Sequence, residues 1–293
     1  MAAPTKLRIG FIPEHFSTPL HFAIAKHSLA ATLIPVPTGT GDLTKLLKSS
    51  EIDVAVGLTE GFIADLGKSK AEGKEGGFKL VGTYVQSKLR WGISTGGQRE
   101  DVTGVAGLEA RKVGVSRIGS GSYVMSYVLA DQQGWLKPGE KPFEVVPLGK
   151  FDALRKGVSG DKTADFFMWE HFTTKRYWDS GELKRIGEIY TPWPSWMIAA
   201  RSGVDERAVQ EMLGKINEGV KYYLEHEEES IEHITSTMEY SKEDVQEWMK
   251  TVEFSSDVKG VDPAVAEKTI GVLRKAGVLD EHAGDGANML VAK

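Results

Sequence analysis

Short apolar runs alternate with amphipathic segments along the chain as far as Arg201. Each run ends in glycine, proline or hydroxyl residues, a pattern typical of strands that end in turns. Strands are predicted at Leu7–Ile12, Ala31–Val36, Ile52–Gly57, Leu80–Tyr84, Trp91–Ser94, Val113–Val115, Asp165–Met168, Leu183–Ile189 and Met197–Ala200. Helices are predicted at Pro19–Lys26, Leu43–Lys48 and Tyr123–Leu129. Strands that alternate with helices indicate an α/β fold with mostly parallel sheets.

The pattern also repeats within the chain. Arg8–Phe11 matches Lys112–Val115, and Asp53–Val56 matches Asp165–Met168 in the same order. A fixed order of similar segments indicates a duplicated supersecondary unit. The sequence therefore predicts two copies of one β-loop-α-β-loop-α-β unit.

The remaining segments indicate how the copies connect. Tyr190–Trp196 carries two prolines, which cannot continue a helix or a central strand, so a stiff crossing is predicted there. Beyond Arg201 the pattern predicts helix throughout, with starts at Asp205 and Ser241. The glycine-rich, charged segment Lys68–Gly77 is predicted to be a solvated loop.

The stretch Val113–Ser122 carries the most distinctive chemistry. An apolar strand runs into a loop of glycine and serine residues with one arginine, Arg117, and the loop opens an apolar helix. Unpaired N–H groups and the helix dipole at such a start favour an anion, and a guanidinium adds a fixed positive charge. A tight turn that merely requires glycine is the alternative. The loop lacks a full Gly-x-Gly-x-x-Gly or Gly-Lys-Ser/Thr pattern, so nucleotide binding is weakly supported.

Ligands of open α/β sheets bind at the carboxyl ends of the strands. These ends hold hydroxyls, one arginine, two Glu-His pairs and nearby tryptophans. We expect two facing lobes to enclose a small ligand with an anionic or polar end and a flat or apolar body. The loops concerned are Pro13–Thr18, Pro37–Asp42, Gly57–Gly61, Ser116–Ser122, Gly149–Asp152 and Trp169–His171.

Each candidate residue also has a structural alternative. Serines can be helix caps, Glu60 and Glu170 can satisfy a helix dipole, and tryptophans can be core. His15 and His171 are more often hydrogen-bonded scaffold than catalysts. The two Glu-His pairs lack close ligand spacing, so no metal site is predicted, and neither a cofactor nor a catalytic residue is assigned.

Composition narrows the class of protein. The 293 residues carry a formal charge of −5 and no cysteine, which argues against nucleic-acid binding and excludes disulfides and thiolate chemistry. No apolar stretch approaches the roughly 20 residues that span a bilayer. Without a signal peptide in the sequence, a cytoplasmic location is expected. A processed periplasmic or secreted form would look the same and stays open.

Four segments resemble type II periplasmic-binding-protein-like proteins, and more narrowly the fungal and bacterial Ca3427-like group. These segments are Lys6–Phe16, Val36–Phe62, the Ser116–Ser122 loop and Trp169–Phe172. The group is related to binding proteins for sulfonates, taurine and thiamine-pyrimidine precursors. The resemblance implies two α/β lobes, each with a mixed, mostly parallel sheet flanked by helices, and a helical C-terminal tail. It implies lobe 1 at residues 1–92 and 192–293, lobe 2 at 93–191, and crossings near 90–94 and 190–196.

The resemblance also implies a function and a set of ligand-facing residues. The expected function is non-catalytic binding of a small anionic or heteroaromatic metabolite by lobe closure. A transporter partner is possible but unsupported by the sequence, which does not indicate an oligomeric state. The alternative is an enzyme of the same fold that uses a histidine or glutamate as acid or base; pyrimidine synthases of this fold need a cysteine-rich motif that is absent here. The implied ligand-facing residues are Thr59, Glu60, Ser116, Arg117, Ser120, Ser122, Trp169 and Glu170, followed by His15, Phe16, His171 and Trp193.

Overall fold

The computed structural model describes residues 6–137 and 140–290. Its strands are β1 Leu7–Phe11, β2 Ala31–Pro35, β3 Val54–Leu58, β4 Phe78–Val85, β5 Arg90–Gly96, β6 Lys112–Val115, β7 Glu144–Pro147, β8 Phe166–Glu170, β9 Leu183–Tyr190 and β10 Trp196–Arg201. Its α-helices are α1 Thr18–His27, α2 Thr40–Lys48, α3 Thr59–Ala71, α4 Gly121–Gln133, α5 Phe151–Ser159, α6 His171–Asp179, α7 Glu206–Glu225, α8 Glu227–Thr237, α9 Lys242–Met249 and α10 Pro263–Lys275.

The chain divides into two compact units. Unit 1 comprises the described residues up to Ser87, Trp193–Ile270 and those from Glu281 onward. Unit 2 comprises the described residues of Lys88–Pro192 together with Gly271–Asp280. Each unit contains one five-stranded sheet with helices packed on it.

The two sheets have the same construction. Unit 1 has the strand order β2-β1-β3-β10-β4, and unit 2 has β7-β6-β8-β5-β9. In each, the first three strands are parallel, and the fourth is antiparallel to both of its neighbours. The predicted mixed, mostly parallel sheets and the predicted repeat are therefore present in the fold.

An aspartate at the start of the third strand marks the repeat in atomic detail. Asp53 Oδ2 accepts a hydrogen bond of 2.9 Å from the backbone N–H of Arg8, and Asp165 Oδ2 accepts one of 2.9 Å from that of Lys112. The backbone N–H groups of the two aspartates donate in return to the Arg8 and Lys112 carbonyls, at 2.9 and 2.8 Å. Each aspartate thus fixes the register of two parallel strands.

In each sheet an arginine on or just after the antiparallel strand also pairs with the aspartate: Arg201 at the end of β10 and Arg99 just after β5. Arg201 Nε lies 2.9 Å from Asp53 Oδ1, and an Arg99 guanidinium nitrogen lies 2.6 Å from Asp165 Oδ1. Bonds from a guanidinium to a carboxylate are charge-assisted and stronger than neutral ones. The side-chain hydrogen bonds from Arg8, and then from Arg201, hold the pKa of Asp53 well below its usual range.

Several predicted boundaries are wrong. Helix α2 begins at Thr40 rather than Leu43, and α3 continues to Ala71, inside the segment predicted as a loop. Asp205 and Ser241 cap α7 and α9 as predicted, through the N–H groups of Arg207 and Asp244. However, the chain beyond Arg201 is not helical throughout. Between α9 and α10 it forms isolated bridges with β4, because that strand's outer edge needs hydrogen-bond partners.

Candidate functional site

The turn between β6 and α4, in unit 2, is held by serine side chains. Ser120 caps the helix, since its Oγ accepts a 3.3 Å hydrogen bond from the N–H of Tyr123. Ser122 Oγ accepts a 3.1 Å hydrogen bond from the N–H of Ser116. The two hydroxyl oxygens lie 3.0 Å apart. The predicted caps are thus joined into one network.

Arg117 and Gly119 shape the tip of this turn. Gly119 has a φ of +77°, a left-handed conformation that glycine adopts without strain. The turn closes with a 3.1 Å hydrogen bond from the N–H of Ser120 to the carbonyl of Arg117. Arg117 is exposed and places a positive charge near the start of α4. The first-turn N–H groups of Gly121 and Ser122 have no partner four residues back within the helix, as at any helix start.

Aromatic rings lie at the neighbouring strand ends of unit 2. Trp169, near the end of β8, stacks on Phe151 at the start of α5, with centroids 5.1 Å apart and an interplanar angle of 24°. Both rings are partly buried and pack on the cluster around Leu154 and Phe167. Trp169 lies in strand β8 rather than in the predicted loop, and its side chain is half-buried.

Glu170 and His171 form the junction between β8 and α6. Glu170 caps α6, because its Oε2 accepts a 2.6 Å hydrogen bond from the N–H of Thr173. Burial raises the pKa of Glu170 to about 7, against the lowering effect of these hydrogen bonds. Burial, with Arg90 and Arg185 nearby, lowers the pKa of His171 to about 4. The His171 ring packs edge-on against Trp178, as a scaffold residue does.

In unit 1, Thr59 and Glu60 begin α3 beside the segment that precedes β10. The N–H of Thr59 donates to the carbonyl of Ser195 at 3.1 Å, and its hydroxyl donates to that of Pro194 at 2.5 Å. Glu60 is 1% exposed, and its Oε2 accepts a 3.1 Å hydrogen bond from the indole Nε1 of Trp193. The indole of Trp193 is thus a buried hydrogen-bond donor to the carboxylate of Glu60.

The second carboxylate oxygen of Glu60, Oε1, is unusual because buried polar atoms are normally hydrogen-bonded. Oε1 is buried and has no hydrogen-bond partner among residues 6–137 and 140–290. Burial raises the pKa of Glu60 to about 7, while its own backbone N–H and Trp193 act in the opposite direction. A buried carboxyl with one open oxygen can accept a hydrogen bond from a ligand when ionised or donate one when protonated.

His15 and Phe16 lie in an aromatic core rather than at an open surface. The His15 ring lies 4.2 Å from that of Trp248 and 4.5 Å from that of Tyr240, centroid to centroid. Phe16 packs on Trp196, and its carbonyl accepts a 2.8 Å hydrogen bond from the Tyr84 hydroxyl. Burial lowers the pKa of His15 well below its usual value. Both residues support the site's scaffold.

Sequence reasoning missed Thr40 and Phe151. Thr40 Oγ1 accepts a 2.9 Å hydrogen bond from the N–H of Leu58 and so joins the starts of α2 and α3. Phe151 supplies the stacking partner of Trp169. Both lie within the predicted strand-end loops and begin helices α2 and α5, and their position directly after a glycine-containing turn was the available signal.

Among the residues that the structure describes, no group of three or more histidine, aspartate or glutamate side chains is arranged to hold a metal ion. In the same part of the chain, no helix has the length and apolar character needed to cross a bilayer.

The chain belongs to the Ca3427-like family. The model of this family, described as Ca3427-like PBP, matches residues 91–189. The Candida albicans CA3427 structure, described as defining a new family with the generic periplasmic binding protein fold, shares 44% identity with a TM-score of 0.83. That alignment covers 95% of this chain and 93% of the other. No curated protein sequence matches the chain.

More distant structures share the fold. The alkanesulfonate-binding protein SsuA of Xanthomonas axonopodis, bound to MOPS, has 14% identity and a TM-score of 0.74, with 96% of each chain covered. The periplasmic aliphatic sulphonate binding protein SsuA of Escherichia coli has 16% identity and a TM-score of 0.74, with coverage of 99% of this chain and 93% of the other. The predicted periplasmic-binding-protein fold and family are confirmed.

Proposed function

We propose that this chain binds a small organic anion whose charged group is held at the start of α4 by Ser116, Arg117, Ser120 and Ser122. The observation that carries the proposal is the pair of serine hydroxyls 3.0 Å apart. Each of these oxygens already accepts a hydrogen bond from a backbone N–H. Only one of the two hydroxyls can donate to the other, so one hydroxyl hydrogen remains for an outside acceptor.

The surroundings favour an acceptor with negative charge. First-turn N–H groups and the dipole of α4 attract an anion, and Arg117 adds a formal positive charge beside them. The partly buried rings of Phe151 and Trp169 supply an apolar surface in the same unit, which suits the body of an aliphatic or heteroaromatic ligand. The sulfonates named for the two SsuA relatives are therefore the first compounds to test.

Glu60 offers a further polar group for a ligand, within unit 1. Its open Oε1 can accept a hydrogen bond when the carboxyl is ionised or donate one when it is protonated. Thr59 and Glu170 have their side-chain oxygens engaged within the fold, so we assign them a supporting role together with Trp193.

A thermal-shift screen of sulfonates, pyrimidines and carboxylates tests the proposal. One class should raise the melting temperature without being consumed, and Arg117→Ala should reduce that shift. Arg274→Ala is the matched control, because Arg274 is an exposed arginine of the same unit outside the serine network. If no compound shifts the melt, or if both variants respond like the wild type, the assignment of the site is wrong.

The enzyme alternative rests on a single observation. Glu60 is a buried carboxyl with a pKa raised to about 7, near the value suited to a general acid or base at neutral pH. Mass spectrometry of a metabolite extract incubated with wild-type protein and with Glu60→Gln tests it. Consumption of a compound by the wild type alone would support catalysis, whereas binding without consumption supports the first proposal.

The cytoplasmic location stays a prediction, and a transporter partner stays possible but unsupported. The Escherichia coli relative is described as periplasmic, which favours an exported setting for that protein. Fractionation of cells that express the natural gene, followed by antibody detection, measures the location directly.

A further inference from the structure

A groove of about 750 Å³ lies in unit 1, beside the end of β10 and the start of β4. None of the candidate residues described above lines it. In the β10–β4 pairing, Ala200 lies opposite Lys79 at the groove, whereas Trp196 and Val85 lie at the other end of the same two strands. At roughly 3.3 Å per residue, these ends are well over 10 Å apart. The groove is therefore a separate feature of unit 1.

The floor of the groove is apolar. Val81, Ala200 and Val209 line it and are buried, and Val204 is half-buried at its side. A volume of this size lies within the roughly 300–1,000 Å³ typical of small-molecule sites. The floor thus suits the hydrophobic body of an organic molecule.

The rim of the groove is strongly cationic in a chain whose formal charge is −5. Its charged lining residues are Lys79, Arg201, Arg207, Lys259 and a single acid, Glu206. Asp53 partly neutralises Arg201, and Glu211 pairs with Arg207 at 3.0 Å.

Lys79 and Lys259 are the rim charges that form no ion pair within 4 Å among the described residues. The charge of Lys259 does interact with the Asp257 carboxylate, which also accepts a 3.0 Å hydrogen bond from the Lys259 backbone N–H. Both lysines are exposed at the rim. Two cations outside ion pairs, above an apolar floor, attract an anion whose body is hydrophobic.

We propose that this groove is a second binding site, for an amphipathic organic anion. Lys79 and Lys259 hold the anionic group, and the buried valines contact the hydrophobic body. The proposal is independent of the function assigned to the start of α4, because the two sites share no residue.

Fluorescence titration with anilinonaphthalene sulfonate, an amphipathic organic anion, tests the groove. The double variant Lys79→Ser/Lys259→Ser should weaken binding at the groove by about tenfold, or about 1.4 kcal/mol. The control Lys215→Ser/Lys221→Ser removes the same charge from two lysines of α7 that do not line the groove, the half-buried Lys215 and the exposed Lys221, and should retain wild-type affinity. Arg117→Ala should leave probe binding at the groove intact. If the probe also binds at the serine site, the wild type should titrate with two sites, and the double lysine variant should lose the groove site and keep the other.

The two proposals fail in different ways. Equal probe binding by the double lysine variant and the wild type would overturn the groove proposal, as would complete loss of the signal in Arg117→Ala. A thermal melt of each variant shows that the fold is retained. Val204→Asp, which places a carboxylate at the side of the groove, provides an independent second variant and should also weaken probe binding.

Discussion

The indole Nε1 of Trp193 donates a 3.1 Å hydrogen bond to Oε2 of Glu60, and both side chains are buried in unit 1. The second oxygen of this carboxyl has no partner among the described residues. A carboxylate is costly to bury without full hydrogen bonding, so the fold favours its protonated form. This explains the raised pKa of Glu60, and it makes the residue a source of pH dependence.

Glu60→Gln should reduce the loss of stability with rising pH. Because the pKa of Glu60 rises from 4.5 to about 7 on folding, its contribution is fully present below pH 4.5 and is lost as pH rises through 7. The loss is about 3 kcal/mol in the free energy of unfolding. Urea denaturation of both proteins across this range measures it. Glu170 also has a raised pKa, and it contributes equally to the pH dependence of the wild type and of Glu60→Gln. Parallel curves of unfolding free energy against pH for the two proteins would therefore contradict the assignment to Glu60.

Asp53→Ala should destabilise the protein by about 2–4 kcal/mol, because it leaves the N–H of Arg8 and the guanidinium of Arg201 without their buried acceptor. Asp42→Ala is the control, since the pair that Asp42 forms with Lys45 lies at the surface and its loss should cost less than about 1 kcal/mol. Denaturant midpoints measure both effects. A similar small cost for the two variants would show that the aspartate does not fix the strand register.

Ser120→Ala should lower both stability and ligand affinity. Loss of a helix cap costs about 1 kcal/mol, and the same substitution breaks the serine network of the proposed anion site. Ser241→Ala removes the equivalent cap of α9, far from that network in the sequence, and should cost a similar amount of stability with no change in affinity. Denaturation and calorimetric titration separate the two effects. Equal affinities for the two variants would argue against the serine site.

His21→Leu should make the protein less sensitive to acid. Burial, and then the nearby His233, lower the pKa of His21 to about 4. Its stabilising contribution is present above the unfolded value of 6.5 and is lost as pH falls toward 4. Burial also lowers the pKa of His233, and the charge of Glu229 partly raises it again. Thermal melts between these pH values test the prediction, with exposed His226→Leu as the control; an unchanged pH slope in His21→Leu would refute it.

The sequence predicted the strands and the α4 turn because both depend on local patterns. Apolar runs bounded by glycine mark β6, and Ser120 stands where a cap must stand. It also predicted the pairing of two repeated segments, since Asp53 and Asp165 recur at matching positions.

The sequence did not predict which candidates are buried, because that depends on packing between distant segments. His15 is enclosed by Tyr240 and Trp248 of the C-terminal part, and no local pattern reveals this. The ligand-facing role implied for Glu170 stays a prediction, and its carboxylate caps α6. Helix starts attract acidic side chains and ligands through the same N–H groups, so sequence alone does not separate the two roles.

A crystal structure of the protein with the strongest ligand from the thermal-shift screen tests the central claim most directly. The account predicts that the anionic group lies within hydrogen-bond distance of a Ser120 or Ser122 hydroxyl and of the first-turn N–H groups of α4. A ligand whose anionic group lies away from these serines would contradict it.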